Sequence, residues 1–119
     1  MRSCLLIERR LLLDAAAAPF LARMRLAEVP VVEVELPLTA KAMLGALRQA
    51  AVDSGWLICG DAATVATAAT AGLAGVVLVG AEIPADDHGI VVAVARDLAD
   101  APRVMVPRDG GCWHDHRRA

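Results

Sequence analysis

The chain has 119 residues and a formal net charge of −2, from Lys+Arg 12 against Asp+Glu 14. Hydrophobic residues at 57% and charged residues at 22% exclude a disordered chain, and the near-neutral balance argues against electrostatic capture by nucleic acid or an anionic membrane. Aromatics at 3% leave too few rings to stack single-stranded bases, and charges interrupt every apolar run before it reaches bilayer length.

The elements come in order along the chain. Ser3–Glu8 reads as a buried strand, and Leu13–Glu28 as a helix, with Ala18, Leu21, Ala22, Arg25 and Leu26 at helical spacing. Pro30 opens a second strand over Val31–Leu36. Thr39 is placed to cap a second helix running to about Asp53. Gly55 precedes a third strand, Trp56–Cys59, and Gly60-Asp61 leads into a third helix that ends near Gly72. The fourth strand is Val76–Val79 and the fifth Ile90–Ala95. A short helical turn begins over Asp97–Ala101, and Pro102 and Pro107 limit regular structure beyond it.

The order βαβαβαββα predicts an α/β fold: one doubly wound, Rossmann-like, three-layer domain with a mostly parallel five-stranded sheet. Strands that are apolar at every position, such as Cys4-Leu5-Leu6-Ile7 and Trp56-Leu57-Ile58-Cys59, suit a sheet covered on both faces. The domain is expected to fill residues 1–119, with its core over about 3–101 and a tail over 102–119. Met1–Arg10 has none of the marks of a secretion signal, so a cytoplasmic location is expected. Cys4, Cys59 and Cys112 are too few and too widely spaced for a disulfide framework or a zinc cluster, and the first two fall inside apolar runs.

In a doubly wound sheet, sites form at the carboxyl ends of the strands. Those ends carry Glu8-Arg9-Arg10 after the first strand, Glu35 after the second and Gly60-Asp61 after the third. No Gly-x-Gly-x-x-Gly run marks a dinucleotide site, and neither Ser3 nor Ser54 has evident partners for a nucleophilic triad.

Trp56-Leu57-Ile58-Cys59-Gly60-Asp61, the alanine-rich stretch after it, and Ala74-Gly75-Val76-Val77-Leu78-Val79 together resemble the last core motif of the haloacid dehalogenase (HAD) superfamily. Leu5-Leu6-Ile7-Glu8-Arg9-Arg10-Leu11-Leu12 resembles that family's nucleophile strand and turn, in the form typical of small histidinol-phosphate and heptose-bisphosphate phosphatases. Val29–Glu35 resembles its second-motif strand, so the likeness covers roughly residues 3 to 101. The resemblance implies a Mg²⁺-dependent phosphohydrolase whose site would comprise Glu8, Arg10, Glu35, Lys41 and Asp61.

The departures from that pattern point the other way. Glu8 stands where the family has its nucleophilic Asp, and its extra methylene displaces the attacking oxygen. Arg10 replaces the acid/base Asp, and a guanidinium near neutral pH cannot shuttle a proton. Glu35 replaces the phosphate-binding hydroxyl, and Val65 replaces the second acid after the metal-binding Asp61. Lys41 is the candidate for the family lysine. Pro37-Leu38-Thr39 joins strand to helix with no room for the usual cap. A salt bridge from Arg10 to Glu8 or Asp61 is therefore expected in place of a metal centre.

Three functions remain open. The first is a degenerate HAD-like domain, without cofactor, that acts by binding a protein or a small phosphorylated ligand or by assembly. The second is a divergent hydrolase in which Glu8 or Asp61 still works with Mg²⁺, with Asp61 the candidate ligand. The third is a receiver-like signalling domain, for which Asp61 fits but Glu8-Arg9, Gly80 and Arg96 do not.

Two features lie away from the strand ends. The tail places Cys112, His114, Asp115 and His116 close together, which suits metal ligands by type but reads as a polar terminus by spacing. Asp86-Asp87 lies in an acidic loop whose Pro84 and Gly89 predict ordinary turns. A capless domain of this size predicts a homodimer, through the tail around Trp113 or through the second strand's edge, where Glu33 and Glu35 guard against indiscriminate pairing.

Overall fold

A computed structural model describes residues 3–52 and 54–104. The strands are β1 (Ser3–Glu8), β2 (Val31–Val34), β3 (Ser54–Cys59), β4 (Gly75–Val79) and β5 (Val91–Ala95). The helices are α1 (Ala17–Leu26), α2 (Ala40–Gln49), α3 (Thr64–Ala71) and α4 (Ala101–Val104), with a 3₁₀ turn over Arg9–Leu13. The sheet has the order β2-β1-β3-β4-β5, and every pairing is parallel.

Alternation along the strands splits the core into two layers. Leu6, Leu57, Cys59, Val76 and Leu78 face Met43 and Leu47 of α2 and Val65 and Ala68 of α3. Leu5, Ile7, Trp56, Ile58 and Val77 face Phe20 and Met24 of α1, Leu98 just before α4 and Ala101 at its start. Both faces of the central strands are thus covered, which is why β1 and β3 can be apolar at successive positions. Among the described residues, no helix is long and apolar enough to cross a membrane.

Three expectations change at the ends of elements. The predicted helix over Leu13–Glu28 begins four residues late, at Ala17, because the chain first closes the 3₁₀ turn over Arg9–Leu13 and then an Asp14 turn. Asp14 Oδ1 accepts the Ala16 N–H at 2.9 Å there. The second helix stops at Gln49, with Ala51 in the left-handed region at φ 57, so it falls short of Asp53. Residues 102–104 were expected in the tail but belong to α4; Pro102 sits in its first turn, where no N–H is needed, and Val104 packs on the α1-side core. Cys112, Trp113, His114, Asp115 and His116, with the metal and interface readings placed on them, lie outside the described residues.

Other terminators behave as the sequence predicts. Thr39 caps α2 by accepting the Ala42 N–H on Oγ1 at 3.1 Å. Gly72 closes α3 in the left-handed conformation at φ 79. Gly75 is required for a different reason: a Cβ there would lie 2.6 Å from the Trp56 ring, which β3 presses against the start of β4.

One connection departs from the doubly wound pattern. β4 and β5 are parallel, yet residues 80–90 between them form turns and no helix. The acidic loop is folded on itself there: Asp86 Oδ1 accepts the His88 N–H at 2.8 Å and Asp87 Oδ1 accepts the Gly89 N–H at 2.9 Å. These contacts give both carboxylates a local turn role.

Candidate functional site

The chain leaves β1 toward β2 on one side, then crosses back to place β3 on the other side of β1. The carboxyl ends of β1 and β3 therefore flank the point where the winding reverses, the usual position of a crevice in such sheets. Glu8, the last residue of β1, and Gly60-Asp61, just after β3, meet there.

Glu8 is only 2% exposed, an unusual setting for a carboxylate. Both of its oxygens are engaged. Oε1 accepts the Gly60 N–H at 2.9 Å. Oε2 accepts Arg10 Nε at 2.7 Å and faces Arg10 Nη2 at 2.6 Å. The 3₁₀ turn carries Arg10 back over the strand end, while its own side chain stays 79% exposed. The acid is thus buried and held, and its counter-charge is wet. A buried carboxylate needs this kind of compensation for the water it has lost.

Asp61 is exposed and does a different job. Its Oδ1 accepts the Ala63 N–H at 2.9 Å, and its carbonyl accepts the Thr64 N–H at 3.1 Å, which closes the turn into α3. Among the described residues Asp61 forms no ion pair, so Arg10 pairs with Glu8 and not with Asp61. Glu35 also turns away from the expected cluster: it pairs with Arg9, which reaches Glu33 at 3.5 Å as well. The β1–β2 register explains this contact, since Ile7 lies opposite Glu33 and Glu8 opposite Val34, so Arg9 follows at the level of Glu35. The sequence signal for Arg9 as their partner is the i, i+2 spacing of Glu33 and Glu35 on a strand adjacent to β1. Lys41 lies in the first turn of α2, exposed, and lines neither of the two clefts at this edge.

Those clefts adjoin each other around Arg10 and Leu36. A smaller one of about 200 Å³ lies over Glu8, Arg9 and Glu35. A larger one of about 470 Å³ is walled by Leu36, Pro37 and Leu38 on one side and by Asp61, Thr64 and Thr67 on the other. Under its floor Cys59 is buried, with Sγ 3.6 Å from the Asp61 carbonyl. Burial pushes its thiol up to about 11; hydrogen bonds from the Asp61 backbone and the Thr64 side chain oppose this rise, and the Glu8 and Asp61 charges add to it. Such a thiol is a packing group and not a nucleophile.

The residues do not fit a Mg²⁺ centre. That ion needs carboxylate oxygens converging on a shared octahedral position. Both Glu8 oxygens already face donors, one of them a guanidinium, and Asp61 is committed to the start of α3. Among the described residues no group of three or more His, Cys, Asp and Glu side chains could hold a metal ion. No family model matches the chain, and neither the curated proteins nor the solved structures provide a match.

Proposed function

We propose that this chain is a catalytically silent, HAD-like α/β domain that acts by binding at the β1/β3 crevice. The observation that carries the reading is the state of Glu8: a buried carboxylate at the nucleophile position, with one oxygen on the Gly60 N–H and the other on Arg10. A nucleophile needs an oxygen aimed at the substrate, and a proton shuttle needs a group that can both accept and donate a proton. Both Glu8 oxygens are instead held by donors of the chain itself, and a guanidinium has donors but no acceptor. The surface keeps a cleft with a cationic rim at Arg10, a carboxylate at Asp61, two threonines and an apolar wall. That lining suits recognition of a small phosphorylated ligand, or of a protein side chain of like charge, without turnover.

The test is hydrolysis of p-nitrophenyl phosphate across a Mg²⁺ titration, with the parent chain and Asp61→Ala side by side. The expected result is no metal-dependent turnover in either. Turnover that requires Mg²⁺ and vanishes in Asp61→Ala would establish the divergent hydrolase instead. Acyl-phosphate formation on Asp61 from a small phosphodonor would establish a receiver-like domain.

A further inference from the structure

The two edges of the sheet are built differently. β2 carries Glu33 on its exposed side, and Arg9 spans Glu33 and Glu35, so that edge is lined with ordered charge. β5 reads Val91-Val92-Ala93-Val94-Ala95, with no charge, no proline and no bulge. Natural edge strands usually carry at least one such guard. Among the described residues no strand lies beyond β5. The connection before it has no helix, and Val92 and Val94 on the α3 side stay half-buried, in the same cluster as Ala81 and Ile90.

The direction of the free backbone groups is set by the register. Val79 lies opposite Ala95, and the Gly80 N–H donates to the Ala95 carbonyl at 2.9 Å. Ala95 therefore directs its backbone polar groups toward β4, and with period two so do Ala93 and Val91. Val92 and Val94 direct theirs outward. In an antiparallel pair, two residues that both point toward the partner exchange an N–H···O=C bond in each direction, and the residue between them forms a close non-bonded pair.

We propose that β5 is an intermolecular edge at which two copies of this chain pair antiparallel about a two-fold axis at Ala93. Val92 of each copy exchanges two hydrogen bonds with Val94 of the other, and Ala93 meets its own counterpart. The strand is self-complementary in both respects that matter. Its outward backbone groups sit symmetrically about Ala93, and its side chains match small against small at the axis and valine against valine on either side. Pairing joins two five-stranded sheets into one continuous sheet and sets the half-buried Val92 and Val94 of the two copies next to each other on the face that carries α2 and α3. This moves the interface expected from the sequence away from the β2 edge, where Arg9 and two glutamates stand. A pairing this short buries less than a standard interface of roughly 1,600 Å², so a weak dimer is expected.

Sedimentation velocity of the full chain from low to high micromolar concentration tests this. The expected weight-average mass climbs from 12.4 kDa toward twice that value. Val94→Pro removes an outward N–H that β4 does not use, so the fold, followed by circular dichroism, should persist while dimerisation weakens at least tenfold. Because that variant could fail to fold, a second arm replaces Ala93 by Cys in a Cys112→Ser background. Non-bonded antiparallel pairs place Cβ atoms about 4.5–5.5 Å apart, near disulfide range, so mild oxidation should cross-link two chains covalently. A parent chain that stays monomeric and an Ala93→Cys chain that does not cross-link would overturn the proposal. So would a dimer that survives Val94→Pro in the folded state but is lost in Glu33→Ala.

Discussion

Replacing Arg10 by alanine strands a buried charge, and the size of the effect depends on the pair's mixed environment. Glu8 is 2% exposed and would retain only the Gly60 N–H. Removing one partner of a fully buried pair costs about 3–5 kcal/mol, whereas a fully exposed pair is worth about 0–1 kcal/mol. The Arg10 side chain is 79% exposed, so water can take over part of its role at Oε2. A loss of about 2 kcal/mol is the expected compromise, close to that of a hydrogen bond to a charged group. In a domain of this size, that lowers the melting midpoint by roughly 6–10 °C. Urea denaturation followed by circular dichroism measures it directly. The double variant Glu8→Gln/Arg10→Ala removes the stranded charge and keeps an acceptor for the Gly60 N–H, so it should recover at least half of the loss. A single variant within about 0.5 kcal/mol of the parent, the level of an ordinary surface change, would refute the reasoning. Equal instability of single and double variants would show that charge is not the cause.

Other parts of the structure carry three further predictions. Gly75→Ala sets a Cβ 2.6 Å from the buried Trp56 ring and should lower stability by about 1–3 kcal/mol in the same urea assay; an unchanged midpoint would mean that the ring moves freely. Thr39→Ala removes the acceptor for the Ala42 N–H and should cost about 1 kcal/mol, with Thr39→Ser close to the parent. The Cys59 thiol rises to about 11 from 9.0, so the folded chain keeps a proton that the unfolded chain loses. Stability from this site is therefore complete below pH 9.0 and is lost as pH climbs toward about 11. A tenfold difference in proton affinity is worth about 1.4 kcal/mol, so the loss is of order 2–3 kcal/mol, and Cys59→Ala should flatten the pH profile in that window. Parallel profiles for the two proteins would contradict it.

The layers of the fold were legible because hydrophobic period and terminators agree. β1 has the predicted bounds, Thr39 and Gly72 occupy the predicted capping positions, and the central strands are apolar on both faces, as a covered sheet requires. The delayed start of α1 was not legible, since Leu11, Leu12 and Leu13 have helical composition and only the 3₁₀ closure after Glu8 shows that they are not α-helical. The site was legible as a set of strand-end charges, but their partners depended on register. A sequence shows that Glu8, Arg10, Glu35 and Asp61 lie at one edge; it does not show that Arg9 takes Glu35 while Arg10 folds back on Glu8. The absence of a helix between β4 and β5 is read from the sequence, but the direction of their pairing is not, because residues 80–90 fit either direction.

Magnesium binding measured by titration calorimetry tests the central claim most directly, comparing the parent with Glu8→Asp/Arg10→Asp. If the Glu8–Arg10 pair has closed the strand end to metal, the parent shows no saturable heat at millimolar Mg²⁺, and the double variant, with its guanidinium replaced by a carboxylate beside Asp61, binds measurably tighter. Saturable binding by the parent that is abolished in Asp61→Ala would contradict the account and place a working metal site at the end of β3.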